Sequence, residues 1–277
     1  MSEIAQLRGK IDALDGELIR LLNERASIAK EIGELKHREG LPIYAPEREE
    51  SLLRSVLEKN QGPLSPESIR AIYREIMSAS LALEKDICIA CVGPSGSPTH
   101  QAARDKFGSS VKYTLTQNVQ GVFNAVTTGQ ADCGVVPIEE AGHGIVNATL
   151  DSLAENDLLA CAQIVLPGGA GQEDRGASRM LVLAKSTGAP SGNDVCLLML
   201  RIEDKPGALL TALEPFKNHK INLDHFASRR AMRGSKDAFF FVEADGHLRD
   251  LQASDILRNL SMRCRAVKVL GCYPKIQ

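Results

Sequence analysis

The sequence predicts a multidomain chain: an all-α segment, then an α/β segment, then a C-terminal βαββαβ segment of the ferredoxin-like type. Three features point there. The first proline is Pro42 and the first aromatic is Tyr44, so the opening forty residues differ in kind from the rest. From Ile87 onward, short apolar runs alternate with helical stretches bounded by glycine. Beyond the small-residue stretch 186–193, apolar and helical runs follow in the order strand, helix, strand, strand, helix, strand. The implied segments are 1–86, 87–187 and 193–277.

Composition narrows the function classes. The 277 residues carry 33 Lys and Arg against 35 Asp and Glu, a net charge of −2. That balance argues against a nucleic-acid binder or a polybasic membrane protein. No apolar run approaches the roughly 18 residues of a membrane span, and Met1-Ser2-Glu3 opens no secretory signal. The expectation is a cytoplasmic protein. Its seven cysteines, odd in number and scattered, suit reduced thiols better than a disulfide framework. Cys88 and Cys91 form a C-x-x-C on a predicted strand, where side chains three apart face opposite ways, so packing is the expected role. The histidines form no ligand cluster, and no metal is expected.

The first helix is predicted from Ile4 to about Arg38. With Ile4 at heptad position a, the a series is Ile4, Ile11, Leu18, Arg25 and Ile32, and the d series is Leu7, Leu14, Leu21, Ile28 and Leu35. Such a stripe belongs to a helix packed against other helices. At about 1.5 Å per residue it would run roughly 50 Å, too long to cover its own stripe within one small domain. Dimerisation would cover it. Arg25 is the exception in the seam, and a guanidinium there needs a partner. Lys36 lies at nearly the same azimuth, about 16 Å along the axis, so the two could bracket a small dianion. Arg8 stands about 25 Å from Arg25 and about 100° round, and could reach the same ligand only from a second subunit.

A second helix is predicted near Pro46, carrying Arg48 and Glu49 on the face continued by Leu52 and Leu53. A third starts at Ser65-Pro66, cap then proline, and runs to about Lys85. Ser80 and Glu84 fall on its apolar face. Polar groups on the inward faces of three helices imply an enclosed polar pocket.

The elements Leu7-Arg8, Glu24-Arg25, Gly33-x-x-Lys36, Glu47-Arg48-Glu49 and Ser80-x-x-x-Glu84 make residues 4–85 resemble the all-α chorismate mutases, which are intertwined three-helix dimers. The resemblance implies that Arg8 from the partner subunit, Arg25 and Arg48 hold the two carboxylates of chorismate. Lys36 and Glu84 would face the ether oxygen, and Glu49 and Ser80 the ring hydroxyl region. An acidic position of that family stands here as Ala45. Conversion of chorismate to prephenate is a concerted [3,3] rearrangement and needs no nucleophile, metal or cofactor. The protein has to hold the reactive conformer and stabilise charge on the breaking ether oxygen. Glu84 can donate there only when protonated.

In the middle segment the expected order is strand Ile87–Val92, a helix through Ala102 and Phe107, helix 118–129 and strand Cys133–Pro137. Gly93-Pro94-x-Gly96-Ser97, the stretch Gly129 to Glu139, and Gly144-x-Val146-Asn147 resemble prephenate dehydratase, the domain fused behind the mutase in bifunctional P-proteins. That family folds as two lobes around a cleft. Here Leu166 leads through a glycine-rich turn, Pro167 to Ser178, straight into Arg179 to Ala184. A single remnant lobe is therefore expected. The family's Thr-Arg-Phe motif stands as Ser178-Arg179-Met180, and its Glu-Asn-Thr/Ser motif as Glu139-Glu140-Ala141. Loss of dehydratase activity is expected, since that chemistry needs a donor for the leaving hydroxyl and a dry site.

In the last segment, Lys205-Pro206-Gly207-Ala208-Leu209 with Asn222-Leu223 resembles the ACT regulatory domain of P-proteins. The resemblance implies phenylalanine as effector, its carboxylate on the free N–H groups that open the helix at Gly207. The family's Glu-Ser-Arg-Pro motif stands as Ala227-Ser228-Arg229-Arg230. Other readings stay open on the sequence: a mutase for a chorismate analogue, a repurposed prephenate-converting enzyme, and an amino-acid-sensing partner of a separate dehydratase.

Overall fold

The computed structural model describes residues 2–167, 177–230, 237–249 and 251–275. The glycine-rich turn falls mainly on 168–176, outside the described residues. Three helices lead: α1 (Glu3–Glu39), α2 (Pro46–Lys59) and α3 (Pro66–Glu84). Ser2 Oγ accepts from the Ala5 N–H at the start of α1, and Gly40, at φ 65°, turns the chain out of it. Ser65 caps α3 in the same way, with Pro66 in its first turn. Only Ala29 and Gly33 of α1 are buried, where it crosses α3. The heptad stripe is open: Ile11 is 56% and Leu14 69% exposed.

The α/β segment follows as β1 (Cys88–Val92), α4 (Pro98–Phe107), β2 (Lys112–Thr116), α5 (Val119–Thr127), β3 (Cys133–Glu140), β4 (Gly144–Ile145), α6 (Asn147–Glu155), β5 (Leu159–Leu166) and β6 (Ser178–Ala184). Strand β1 pairs in parallel with β2 and β3, while β6 runs antiparallel to both β3 and β5. Leu166 on β5 is paired with Ser178 on β6.

The last segment is β7 (Asp194–Glu203), α7 (Ala208–Asn218), β8 (Leu223–Arg230), β9 (Asp237–Asp245), α8 (Leu251–Arg263) and β10 (Ala266–Pro274). Its strands lie in the order β10-β7-β9-β8, all antiparallel, which is the ferredoxin-like arrangement.

The sequence treats the second and third segments as separate units, but their strands form one sheet of ten. The seam is β5 against β10, in parallel, with Gly271 opposite Ala160. Gly271 has φ 147°, and a Cβ there would lie 2.1 Å from the Ala160 carbonyl oxygen, so the close approach requires glycine. One apolar core, including Leu153, Leu181, Leu197 and Tyr273, crosses the seam.

The expected reduced state of the cysteines needs correction. Cys196 and Cys272, opposite each other on β7 and β10, are joined as a disulfide. Register, which spacing does not reveal, brings them together. Cys91, Cys133 and Cys161 are buried free thiols whose pKa burial pushes upward. No helix among the described residues is long and apolar enough to cross a membrane.

Candidate active site

A cavity of about 450 Å³ lies among the three N-terminal helices and the α1–α2 connection. Arg25 and Lys36 reach it from α1, Arg48 and Glu49 from α2, and Ser80 and Glu84 from α3. Ile32, Leu52, Met77 and Leu81 supply apolar walls. The helical period accounts for the convergence, because each polar group replaces an aliphatic one on a face turned inward.

Hydrogen bonds fix these groups. Arg25 Nη1 donates to Ser80 Oγ at 2.5 Å, and Ser80 Oγ donates in turn to the Ile76 carbonyl at 2.9 Å. Lys36 Nζ donates to Glu84 Oε2 and to the Ile43 carbonyl, both at 2.9 Å. Gly33 makes the α1–α3 approach possible, since a Cβ there would lie 2.8 Å from Glu84 Cα. Glu49 Oε2 accepts from the Tyr44 hydroxyl at 3.2 Å. Burial, then the Glu49 carboxylate, pushes the Tyr44 phenol well above its ordinary pKa, so it stays the donor. Arg48 is exposed and makes no ion pair among the described residues. It is the uncommitted cation of the cavity.

Arg8 does not join this group. It is exposed on α1, more than four turns from Arg25. Nothing in the single chain brings it to the cavity.

A second polar cluster sits where β3, β6 and β9 meet. Arg179 Nη2 donates to both carboxylate oxygens of Glu243, at 2.5 and 2.7 Å, and its Nη1 stands 3.5 Å from Glu139 Oε2. Both Arg179 and Glu243 are buried. Burial opposes the Arg179 charge, but the Glu243 carboxylate outweighs it and the guanidinium pKa is raised. Ser178 Oγ accepts from the Ala141 N–H at 3.0 Å, while Glu140 points to solvent.

The chorismate mutase type II family matches residues 7–85, and the prephenate dehydratase family matches residues 89–168. The bifunctional chorismate mutase/prephenate dehydratase of Aquifex aeolicus is 34% identical, with 99% of each chain covered. This chain belongs to that bifunctional family. The enzyme of the same description from Pseudomonas aeruginosa is 29% identical, covering 99% of this chain and 98% of its own. Among solved structures, prephenate dehydratase from Streptococcus mutans is 29% identical with a TM-score of 0.59, over 68% of this chain and 97% of that one. The Aquifex alignment runs over 357 positions against a chain of 277 residues, so at least 80 positions of the bifunctional relative have no counterpart here.

The family's dehydratase positions as they stand in this chain are only partly together: Glu139 and Arg179 are register partners, and Ser178 lies beside them. The effector positions are not brought together within one chain. Gly207 caps the N-terminus of α7 at φ 80° without a side-chain cap, with Ala208 and Leu209 half-buried behind it. Asn222 and Leu223 lie past the other end of α7, about 16 Å away along an eleven-residue helix. Asn222 Nδ2 donates to Asp224 Oδ1 at 2.7 Å.

Sequence reasoning missed Glu243, Tyr44 and Lys106. Glu243 did leave a signal, being a lone carboxylate between Val242 and Ala244 in an apolar run, where a buried charge demands a partner. Lys106 left none.

Proposed function

We propose that this chain is a chorismate mutase acting as a homodimer through α1, and that its dehydratase portion is inactive. The carrying observation is the meeting of Arg25, Lys36 and Arg48 with Glu49, Ser80 and Glu84 around one cavity of about 450 Å³. Three cations suit a dicarboxylate. Arg25, braced by Ser80, and the free Arg48 take the carboxylates, with Arg8 of a second copy as the third clamp. Lys36 donates to the ether oxygen as its bond breaks, where a preformed donor acts most strongly on the transition state. Glu84 adds a second donor when protonated. Glu49 receives the ring hydroxyl. The chemistry is intramolecular, so clamping the reactive conformer supplies much of the rate.

For the dehydratase portion, the support is the shortened alignment, the direct β5–β6 pairing and the altered motifs. Dehydration of prephenate needs a closed site that excludes water. Arg179, at the position of the motif arginine, is already held by Glu243 and Glu139 on the wall of a cavity of about 180 Å³, too small for an enclosed site around prephenate. The C-terminal βαββαβ unit is read as an ACT domain, with L-phenylalanine as effector on the Gly207 helix start. Arg229 of the altered Glu-Ser-Arg-Pro motif is taken up by Asp151 on α6. That ion pair ties the unit to the α/β segment.

Incubation of the full chain with chorismate tests this reading. Chorismate is consumed, and phenylpyruvate forms only after the product is acidified. Phenylpyruvate at neutral pH overturns the inactive dehydratase, and unconsumed chorismate overturns the mutase. Calorimetric titration with L-phenylalanine decides the effector.

A further inference from the structure

The α/β segment backs the wall of the mutase cavity, packing its core against Ile43, Tyr44 and Leu81 and reaching Glu49 from α4. Helix α4 ends in Lys106 and Phe107, and both touch groups of the N-terminal segment. Lys106 Nζ stands 3.0 Å from Glu49 Oε2, with the Lys106 side chain 20% and the Glu49 side chain 13% exposed. The Phe107 ring packs on Tyr44 at 4.9 Å between centroids, and the Tyr44 hydroxyl donates to the same Glu49 oxygen. Glu49 is a partition: one side faces the mutase cavity, and the other faces a second cavity of about 340 Å³ that Lys106 lines.

Both donors fall on Oε2. An ammonium and a phenol on one carboxylate oxygen fix the rotamer of the side chain and leave Oε1 free to accept from a ligand. A glutamate without such support has several rotamers to lose on binding, and lies beside no compensating cation on its far side. We infer that Lys106 is a positioning residue for the mutase reaction, supplied by the α/β segment and acting through Glu49. This rests on the mutase reading, in which Glu49 receives the substrate's ring hydroxyl. It gives the shortened α/β segment a role independent of dehydration: it braces a wall residue of the neighbouring site from behind.

The test is steady-state kinetics of the full-length protein with chorismate. Lys106→Met raises KM about tenfold while kcat changes less than about threefold, the pattern of lost ground-state positioning. Lys106→Arg restores most of the loss. In a Glu49→Gln background Lys106→Met adds less than about twofold, because a residue acting through another has nothing left to position. Thermal melting of each variant separates positioning from folding, and Lys106→Gln replaces the methionine variant if that one does not fold. A parent-like KM in the folded variants, or an equal effect with and without Glu49, overturns the inference while the mutase reading stands. A parent chain that leaves chorismate unconsumed overturns both.

Discussion

Lys36 Nζ lies 2.9 Å from Glu84 Oε2, an ion pair between α1 and α3 whose side chains are 22% and 10% exposed. A second contact of the ammonium, with the Ile43 carbonyl, leaves it little freedom. Such a preformed donor costs no reorganisation when charge develops on the substrate. Removing one donor of this kind lowers kcat by about 10²–10³ in comparable sites. Lys36→Gln is accordingly expected to lower kcat by that factor with the fold kept, read from chorismate consumption beside a circular dichroism spectrum.

Glu84 holds Lys36 in place from α3. Glu84→Gln keeps an acceptor for the ammonium and presents an amide donor of its own to the ether oxygen, so kcat is expected to stay at or above the parent's, read from chorismate consumption. A kcat reduced as far as in Lys36→Gln would contradict this role.

Gly33 is expected to tolerate nothing larger. A methyl at that position would press on the Glu84 backbone at 2.8 Å, where no flexible side chain can give way. Gly33→Ala should shift Glu84 away from Lys36 and lower kcat/KM at least about tenfold, while calorimetry shows a loss of stability of about 1–3 kcal/mol.

The open stripe of α1 and the stranded Arg8 make a joint prediction. Leu14, 69% exposed, sits midway along the stripe. On the proposed dimer, Leu14→Glu should give a monomer in sedimentation where the parent gives a dimer, and should abolish mutase activity at the same protein concentrations. Arg8→Ala should keep the dimer and lose activity. If both variants leave activity intact, the cavity is complete within one chain.

The helical pocket was legible because its polar residues interrupt apolar faces at a helical period. Arg25 in the heptad stripe and Glu84 on the face of Ile69 and Ile76 can be seen without a structure. The strands of the C-terminal unit were legible for the same reason, in their apolar runs. What escaped were contacts between segments. Lys106 meets Glu49 because α4 packs beside α3, and the connection after α4 is pinned to α3 by Ser110 N–H donating to Ser78 Oγ at 3.0 Å and by Ser109 donating to Glu75. Cys196 and Cys272, 76 residues apart, pair only through strand register. The fused sheet turns on Gly271, and periodicity is blind to which edge strand meets which.

Arg179 and Glu243 stand 64 residues apart and give the last prediction. Breaking a buried pair by removing one partner costs about 3–5 kcal/mol, and here Glu139, 3.5 Å from Arg179 Nη1, remains as a weaker counter-ion that holds the loss to the lower end of that range. Glu243→Ala should therefore destabilise the protein by that amount in denaturant unfolding. Replacing both with apolar residues of similar volume, Arg179→Met with Glu243→Leu, removes both charges and should recover most of it. Neither variant should gain or lose phenylpyruvate formation at neutral pH if the pair is structural. If Glu243→Ala, by freeing Arg179, produced phenylpyruvate from prephenate, the ion pair would be a lock on a competent site, not a fixture of the fused sheet. The double variant separates the two, because it keeps the stability of an apolar core and has no guanidinium to free.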